Sequence, residues 1–298
     1  MSVKITTAFV EQYSANVEHL AQQMESRFDG KVRQESQKGK TKFWEQLGAT
    51  QAVKRTNRHA DTPRVDSDHQ RRQCVLNDYD WSDLVDTLDD TKMLISPASS
   101  YAQSAAMAFN RAKDEEVIDN AVATSYADKN GNGGATIAVA LPSTQKVAVN
   151  FGGSNIGLTL AKLIETKSIL GKNEYPRGDK LYFAHTQQQL DDLLNNVDEV
   201  SNADYAAIKA LVKGEVNFFM GFEFIKTELM TLTTSTDVRT CFGYASSGIL
   251  RAIGQDARGR ISERDDKNYA TQVYYNMSVG ATRMQEELVV EVMCDESP

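Results

Sequence analysis

The residues that most resemble an ion site lie in the sequence DKNGNG, Asp128 to Gly133. These six positions match the start of a calcium-binding loop of the EF-hand type, which also requires a bidentate glutamate at position twelve. Position twelve is Val139, and an apolar, strand-like run follows where a second helix would be needed. The pattern therefore predicts a polar turn.

Metal-binding and nucleophilic side chains are few and scattered. The four histidines form no HExxH pattern and stand at no metal-ligand spacing from a cysteine. The three cysteines, Cys74, Cys241 and Cys294, are far apart, which is typical of a reducing compartment, and they are predicted to be small buried hydrophobic residues. No catalytic, cofactor or metal site is predicted, and the chain is not expected to be an enzyme.

Composition and charge describe an ordinary soluble globular protein. Of 298 residues, 41% are hydrophobic and 25% are charged, and the net charge is -8. No run of about 18 apolar residues suggests a membrane span, and the N-terminus has no apolar core that would indicate a secretory signal. The length suggests one large domain or two moderate ones.

Charge is unevenly distributed along the chain. Between Lys54 and Arg72 there are six Lys or Arg and three Asp, whereas the stretch from Asp78 to Asp90 holds six Asp and no basic residue. The basic segment could bind nucleic acid or an acidic surface on another copy of the protein. The negative net charge argues against a dedicated nucleic-acid binder, which usually shows a basic domain.

Two elements are predicted around these charge blocks. QAVKRT (51–56) and RRQCVL (71–76) are strand-like and flank a polar tip with Pro63, so 54–72 is predicted to be a long hairpin. Downstream, Ser96 is a good N-cap and Pro97 suits the first helical position of an alanine-rich helix over 97–126.

The second half of the chain predicts a compact α+β block over 151–255. An amphipathic helix is indicated within 155–172, and KLYFAHT (180–186) is predicted to be a strand. The alternation of large apolar residues over 216–224 predicts one further buried strand. The residues concerned are Val216, Phe218, Met220, Phe222 and Phe224.

Taken in order, several of these segments resemble the major capsid proteins of tailed bacteriophages. The segments that resemble the N-terminal half of these proteins are VKRTNRHADTP, RRQCVLNDYDWSDLVD and SPASSYAQSAAMAFNRAKDE. The segments that resemble their second half are SNADYAAIKALVKGEVNFFMGFEFIKTE and DDKNYATQVYYNMSVGATRMQEELVVEV. The resemblance covers nearly the whole chain, and its specificity lies in the ordered set, since none of the motifs is a catalytic signature.

The resemblance implies the α+β fold of Hong Kong 97 type capsid proteins, with an arm, an extended E-loop hairpin, a peripheral domain and an axial domain. On this sequence the expected parts are an N-terminal arm at 1–45, the E-loop region at 46–92, the first part of the peripheral domain at 93–150 with a spine helix at 97–126, the axial domain at 151–255, and the second part of the peripheral domain at 256–298.

The function implied by the resemblance is a shell protein of the virion. Copies would assemble in the host cytoplasm as hexamers and pentamers into an icosahedral head that encloses double-stranded DNA without specific contacts. A portal at one vertex and a cement protein are further expected partners, and no membrane is involved. Little chain precedes the E-loop region, so a separate scaffolding protein is expected. The alternatives are a nucleic-acid-binding protein that uses the basic 54–72 hairpin, and an encapsulin-like shell protein.

In this fold the E-loop lies across a neighbouring subunit, which predicts an interface between the two charge blocks. The expected cations are Arg58, Arg64, Arg71 and Arg72, and the candidate acidic partner surface is Asp83, Asp86 and Asp89. Exposed ion pairs contribute only about 0–1 kcal/mol each, so they would set register and partner choice. Reversing Arg71 and Arg72 to Glu is expected to impair assembly and leave the subunit folded.

Overall fold

The computed structural model describes residues 22–58, 61–85, 98–128, 136–153, 155–195 and 217–297. The chain divides into two compact units. The first contains the described residues of 1–25, 78–112 and 255–278, and the second contains those of 26–77, 113–254 and 279–298.

Helices and strands both contribute to the described residues, as an α+β fold requires. The helices are α1 (Ala98–Val122), α2 (Leu160–Lys172) and α3 (Gln187–Asn195). The strands are β1 (Arg33–Ser36), β2 (Thr41–Leu47), β3 (His69–Val75), β4 (Asn77–Val85), β5 (Ser125–Asp128), β6 (Ile137–Val139), β7 (Lys146–Val147), β8 (Leu181–His185), β9 (Phe218–Phe219), β10 (Phe222–Lys226), β11 (Leu232–Thr233), β12 (Val238–Ala245), β13 (Ile249–Arg264), β14 (Ala270–Arg283) and β15 (Val289–Asp295).

The strands form three sheets within the described part of the chain. A seven-stranded sheet has the order β7-β15-β12-β8-β10-β9, with β11 paired to β12. One four-stranded sheet has the order β2-β3-β5-β6, and the other has the order β1-β13-β14-β4. None of the described helices is both long and apolar enough to cross a membrane.

The core of the second unit lies around the seven-stranded sheet. All five residues of β8 are buried, and the strand lies inside the sheet, with β10 paired parallel on one side and β12 paired antiparallel on the other. Aromatic rings fill the layer: the centroids of Phe242 and Tyr244 are 5.6 Å apart, and those of Phe183 and Phe224 are also 5.6 Å apart. Burial of such large apolar surfaces supplies most of the folding free energy.

Helix α1 confirms the predicted alanine-rich helix but ends earlier than expected. The predicted range was 97–126, whereas the helix stops at Val122 and Ser125–Asp128 forms strand β5. Residues 125–128 form a strand because they pair with both β3 and β6, and the local sequence gives no sign of that pairing. Arg283 donates hydrogen bonds to the carbonyl oxygens of Ala121 (3.0 Å) and Ala123 (2.6 Å), which satisfies acceptors that the end of a helix leaves open.

The predicted basic hairpin is present, but its first strand lies ten residues earlier than QAVKRT. Strand β2 pairs antiparallel with β3 from Thr41↔Val75 to Leu47↔His69. The physical reason is burial: Trp44 in β2 is buried, whereas 51–56 are exposed throughout and would bury nothing as a strand. Residues 48–68 therefore form the loop that connects the two strands.

The predicted single strand over 216–224 is wrong, because the chain reverses direction inside it. Strands β9 and β10 pair antiparallel, with Phe222 opposite Phe219. Met220 and Gly221 between them have positive φ values of 52° and 91°. Positive φ at both central residues is the geometry of a two-residue type I′ hairpin turn, and Val216 lies outside the described residues.

Candidate functional site

The loop 48–68 carries most of the predicted basic segment and is anchored only at its base. The amide of Gly48 donates to the carbonyl oxygen of Asp68 at 2.7 Å, which closes the loop where the two strands end. Beyond that point residues 49–58 and 61–66 are all exposed. The exposed set includes Val53 and Val65, which are 59% and 45% accessible. The loop thus presents cations and apolar groups that bury little surface in their own subunit.

Arg58 and Arg64 lie on this loop and point into solvent. Arg64 contacts Asp66 two residues later at 3.1 Å, with both side chains more than four-fifths accessible. An ion pair so exposed adds little stability. Arg58 is also exposed, and it has no hydrogen-bond or ion-pair partner in the described part of the chain. Both cations are therefore available to another surface.

Arg71 lies on β3 and faces outward from the β2-β3-β5-β6 sheet. It stands opposite Glu45 in the strand register, and its guanidinium contacts that carboxylate at 2.9 Å. Arg71 is 37% accessible and Glu45 is 72% accessible. This cation already has an intramolecular partner but remains reachable from outside.

Arg72, the next residue, is buried, so it cannot offer an exposed cation to a neighbouring subunit. It is 2% exposed, and it stands opposite Trp44 and Ala127 on the inner face of the sheet. Its Nε donates to the carbonyl oxygen of Met284 at 3.2 Å, and its Nη2 contacts the Glu286 carboxylate at 2.9 Å. Side-chain alternation along a strand places adjacent residues on opposite faces. The expectation that Arg72 joins an exposed interface is thereby corrected.

Glu286 is shared by two buried arginines. Besides Arg72, it forms an ion pair with Arg283, whose Nε lies 3.6 Å from the carboxylate and whose side chain is fully buried. Burial lowers the pKa of Arg283, and the charge of Glu286 opposes that shift. Arg283 also donates to the carbonyl oxygen of Val139 at 3.1 Å. We call Arg72, Arg283 and Glu286 the arginine node.

The arginine node connects the base of the loop to the rest of its unit. Arg72 belongs to the hairpin, and Arg283 contacts carbonyls at the end of α1 and in β6. The sequence reasoning missed Arg283 and Glu286 altogether. One signal was available for Arg72: Cys74 was predicted to be buried, and a residue two positions earlier on a strand shares its face.

The predicted acidic partner surface is only partly described. Asp83 lies in β4, where its carboxylate accepts from the amide of Leu84 at 2.8 Å. Asp86 and Asp89 lie outside the described residues. Asp83 belongs to the first compact unit and the four predicted arginines belong to the second.

Among the described residues, the three cysteines and His185 are buried. Burial raises the pKa of the Cys74 thiol to about 12, and a hydrogen bond with Cys294 together with burial raises that of Cys241. Burial lowers the pKa of His185 to about 4, and its Nδ1 lies 2.8 Å from the carbonyl oxygen of Thr186. In the described residues, no group of three or more potential ligands could hold a metal ion.

Three solved structures with similar folds are phage capsids. The capsid of the cyanophage P-SCSP1u is 13% identical, with a TM-score of 0.71, and covers 98% of this chain and 95% of its own. The cyanophage Pam1 capsid is 13% identical, with a TM-score of 0.68 and 97% coverage of both chains. The capsid of Ralstonia phage GP4 is 8% identical, with a TM-score of 0.71, and covers 98% and 97%. These likenesses show a capsid fold.

The comparison of sequences gives the family itself. No curated protein matches the chain significantly. The model of the family described as phage capsid protein matches residues 5–296. The nucleic-acid-binding and encapsulin-like alternatives receive no support from these comparisons. With nearly the whole sequence matched and the fold shared with solved capsids, this chain belongs to the phage capsid protein family and is a structural protein of the virion shell.

Proposed function

We propose that this protein assembles as hexamers and pentamers into an icosahedral phage head that encloses double-stranded DNA. Family membership and the capsid fold support a shell built from copies of this chain. The observation that carries the proposal is the loop 48–68, whose residues 49–58 and 61–66 are all exposed although its base is closed by a hydrogen bond. An anchored loop whose described residues bury little surface in their own subunit is suited to pack on another copy.

The contact is proposed to combine apolar burial with charge pairing. Val53 and Val65 would lose their accessible surface against the neighbour, which stabilises a contact by about 25 cal/mol per Å². Arg58, Arg64 and Arg71 would meet acidic surface there, with Asp83, Asp86 and Asp89 as the candidate set. Their charges would fix register and partner choice more than affinity.

The parts of the capsid subunit are assigned as follows in this proposal. The arm is 1–45, the E-loop region is 46–92, the peripheral domain is 93–150 with 256–298, and the axial domain is 151–255. Support for the E-loop assignment comes from the loop 48–68 between β2 and β3. Support for the axial assignment comes from β8 to β12, which lie in one sheet within that range.

Assembly in the host cytoplasm would use a scaffolding protein encoded separately, a portal at one vertex and a cement protein. Contact with the packaged DNA would be non-specific, in keeping with a net charge of -8 on each subunit. The proposal assigns no catalytic residue to this chain.

The test is assembly of a variant with Arg58→Glu and Arg64→Glu. Wild-type and variant proteins would be co-expressed with the neighbouring viral genes, and particles would be counted by negative-stain electron microscopy and sedimentation. We expect the variant to lose most closed shells and to keep the thermal stability of the wild-type subunit, because both side chains are exposed.

A matched control carries the same change of charge elsewhere. Lys38→Glu with Arg177→Glu replaces two exposed cations outside the loop and should leave assembly intact. Normal shells from the loop variant would refute the loop contact. Tight, salt-sensitive DNA binding by the isolated wild-type subunit would instead favour the nucleic-acid function.

A further inference from the structure

The sheet with order β1-β13-β14-β4 has two open edges in the described residues. Strand β4 is the last strand on one side. On the other side β1 pairs with β13 only from Leu250 to Ile253, so none of the described strands pairs with the outer edge of β13 from residue 254 to 264. Residues 254–261 are all exposed. Open edges present unpaired backbone N–H and C=O groups that can pair with another chain.

The two edges carry opposite charges at the same spacing. Asp78 and Asp80 stand two residues apart on β4, and Arg258 and Arg260 stand two residues apart on β13. In the described part of the chain, the side chains of Asp78, Arg258 and Arg260 have no hydrogen-bond or ion-pair partner. Asp80 accepts from the hydroxyl of Tyr274 at 2.6 Å, and a carboxylate can accept further bonds.

We propose that β4 of one copy pairs antiparallel with residues 254–264 of β13 in a second copy. The register places Asp78 opposite Arg260 and Asp80 opposite Arg258. Directly opposed side chains of opposite charge stabilise an antiparallel pair. A parallel register that matched the same charges would place Asp83 opposite Glu263, a repulsive pair, whereas the antiparallel register places Asp83 opposite Gln255.

The other face of the sheet supports the same register. Trp81 contacts the edge of the Tyr275 ring, with centroids 6.5 Å apart, so these two side chains share one face. The Tyr275 ring also lies over Gly259, where a Cβ atom would come within 2.4 Å of it. The proposed register places Trp81 of one copy opposite Ala257 of the other. Ala257 is small and exposed, so it leaves room on that face for the Trp81 side chain.

The contact uses two different edges, so it is heterologous and can repeat from copy to copy. Heterologous contacts generate rings when the rotation closes, which is the kind of assembly that the proposed shell function requires. The inference rests on that proposed function, because it needs copies of this chain to meet.

Disulfide trapping tests the contact in assembled particles. A variant with Ser82→Cys and Asp256→Cys places two thiols directly opposite each other across the proposed contact. Within one copy β14 separates β4 from β13 by two strand spacings, roughly 9.5 Å, which exceeds the reach of a disulfide. The three native cysteines are buried. Oxidised glutathione would take up the two electrons and two protons of the thiol pair and leave as two molecules of glutathione.

We expect a ladder of covalently linked subunits on a denaturing gel. The matched control, Ser82→Cys with Gln255→Cys, places the second thiol on the opposite face of β13 and should give no ladder. Particles that form normally without a ladder would refute the edge pairing and leave the shell function standing. Failure of the wild-type protein to form particles when it is co-expressed with the neighbouring viral genes would refute the shell function itself.

A charge exchange gives an independent readout of the register. Asp78→Arg and Arg260→Asp should each lower the yield of particles about tenfold, the ratio that corresponds to 1.4 kcal/mol. The variant that combines both changes should return the yield to within about twofold of wild type. If the relative particle yield of the combined variant equalled the product of the relative yields of the two single variants, the pairing of Asp78 with Arg260 would be contradicted.

Discussion

The exposed loop 48–68 and the buried arginine node show the same side chain in two environments. Arg58 and Arg64 on the loop are surrounded by solvent, whereas Arg72 and Arg283 in the node are almost fully buried and share Glu286. A guanidinium in water can be moved or replaced at little cost, and a buried one depends on its partner. The loop is therefore free to contact other copies because the node holds its base.

The largest expected effect comes from removing the shared carboxylate of the node. Glu286→Gln would leave two buried guanidinium groups without compensation, which costs about 3–5 kcal/mol. Urea unfolding of the isolated subunit would measure the loss. Glu287→Gln, at the exposed neighbouring position, should change the unfolding free energy by less than about 0.5 kcal/mol. Equal stabilities of the two variants would mean that the node does not hold the base of the loop.

A somewhat smaller loss of stability is expected at acid pH, from the protonation of a buried histidine. His185 is buried beside Phe183 and Phe224, and burial lowers its pKa to about 4 from the ordinary 6.5, with the charge of Lys226 in the same direction. The unfolded chain binds the proton more readily between these values. Stability is therefore full above about pH 6.5 and falls as the pH is lowered toward 4.

The loss attributable to His185 should be about 3 kcal/mol at pH 4, at 1.36 kcal/mol for each unit of pKa. It is measured as the difference between wild type and His185→Gln in unfolding experiments across this range, which cancels the contribution of carboxylates elsewhere. Parallel pH profiles for the two proteins would contradict the buried neutral histidine.

The smallest effect is expected at the outward arginines. Arg71→Met removes an exposed pair with Glu45, and the loss of that pair should lower the free energy of unfolding by no more than about 1 kcal/mol. Arg72→Met, one residue later, should cost several times more because it leaves the Met284 carbonyl without this donor and takes one of two cations from Glu286. If both substitutions lowered the free energy of unfolding by a similar amount, the assignment of Arg71 to an exposed face of β3 and of Arg72 to a buried face would be contradicted. For the same reason Arg72→Glu is now expected to unfold the subunit, so it is unsuitable as an assembly variant.

Much of the fold could be predicted where local signals were strong. Strand β8 and the alanine-rich helix α1 were anticipated from apolar patterning and capping residues. The end of α1 and the position of β2 were not, because both depend on pairing with distant strands. The reversal at Met220 and Gly221 could have been suspected from the glycine, but alternation of large apolar residues concealed it.

The sequence by itself determined the class of protein, since the ordered segments that resemble phage capsid proteins extend over nearly the whole chain and the family match covers 5–296. It also located the basic segment, because charge is a property of composition. Only the tertiary structure decided which arginines of that segment remain exposed and available to another subunit. That choice depends on strand register and on the partners Met284 and Glu286, which lie more than two hundred residues away and leave no trace in the local sequence around Arg72.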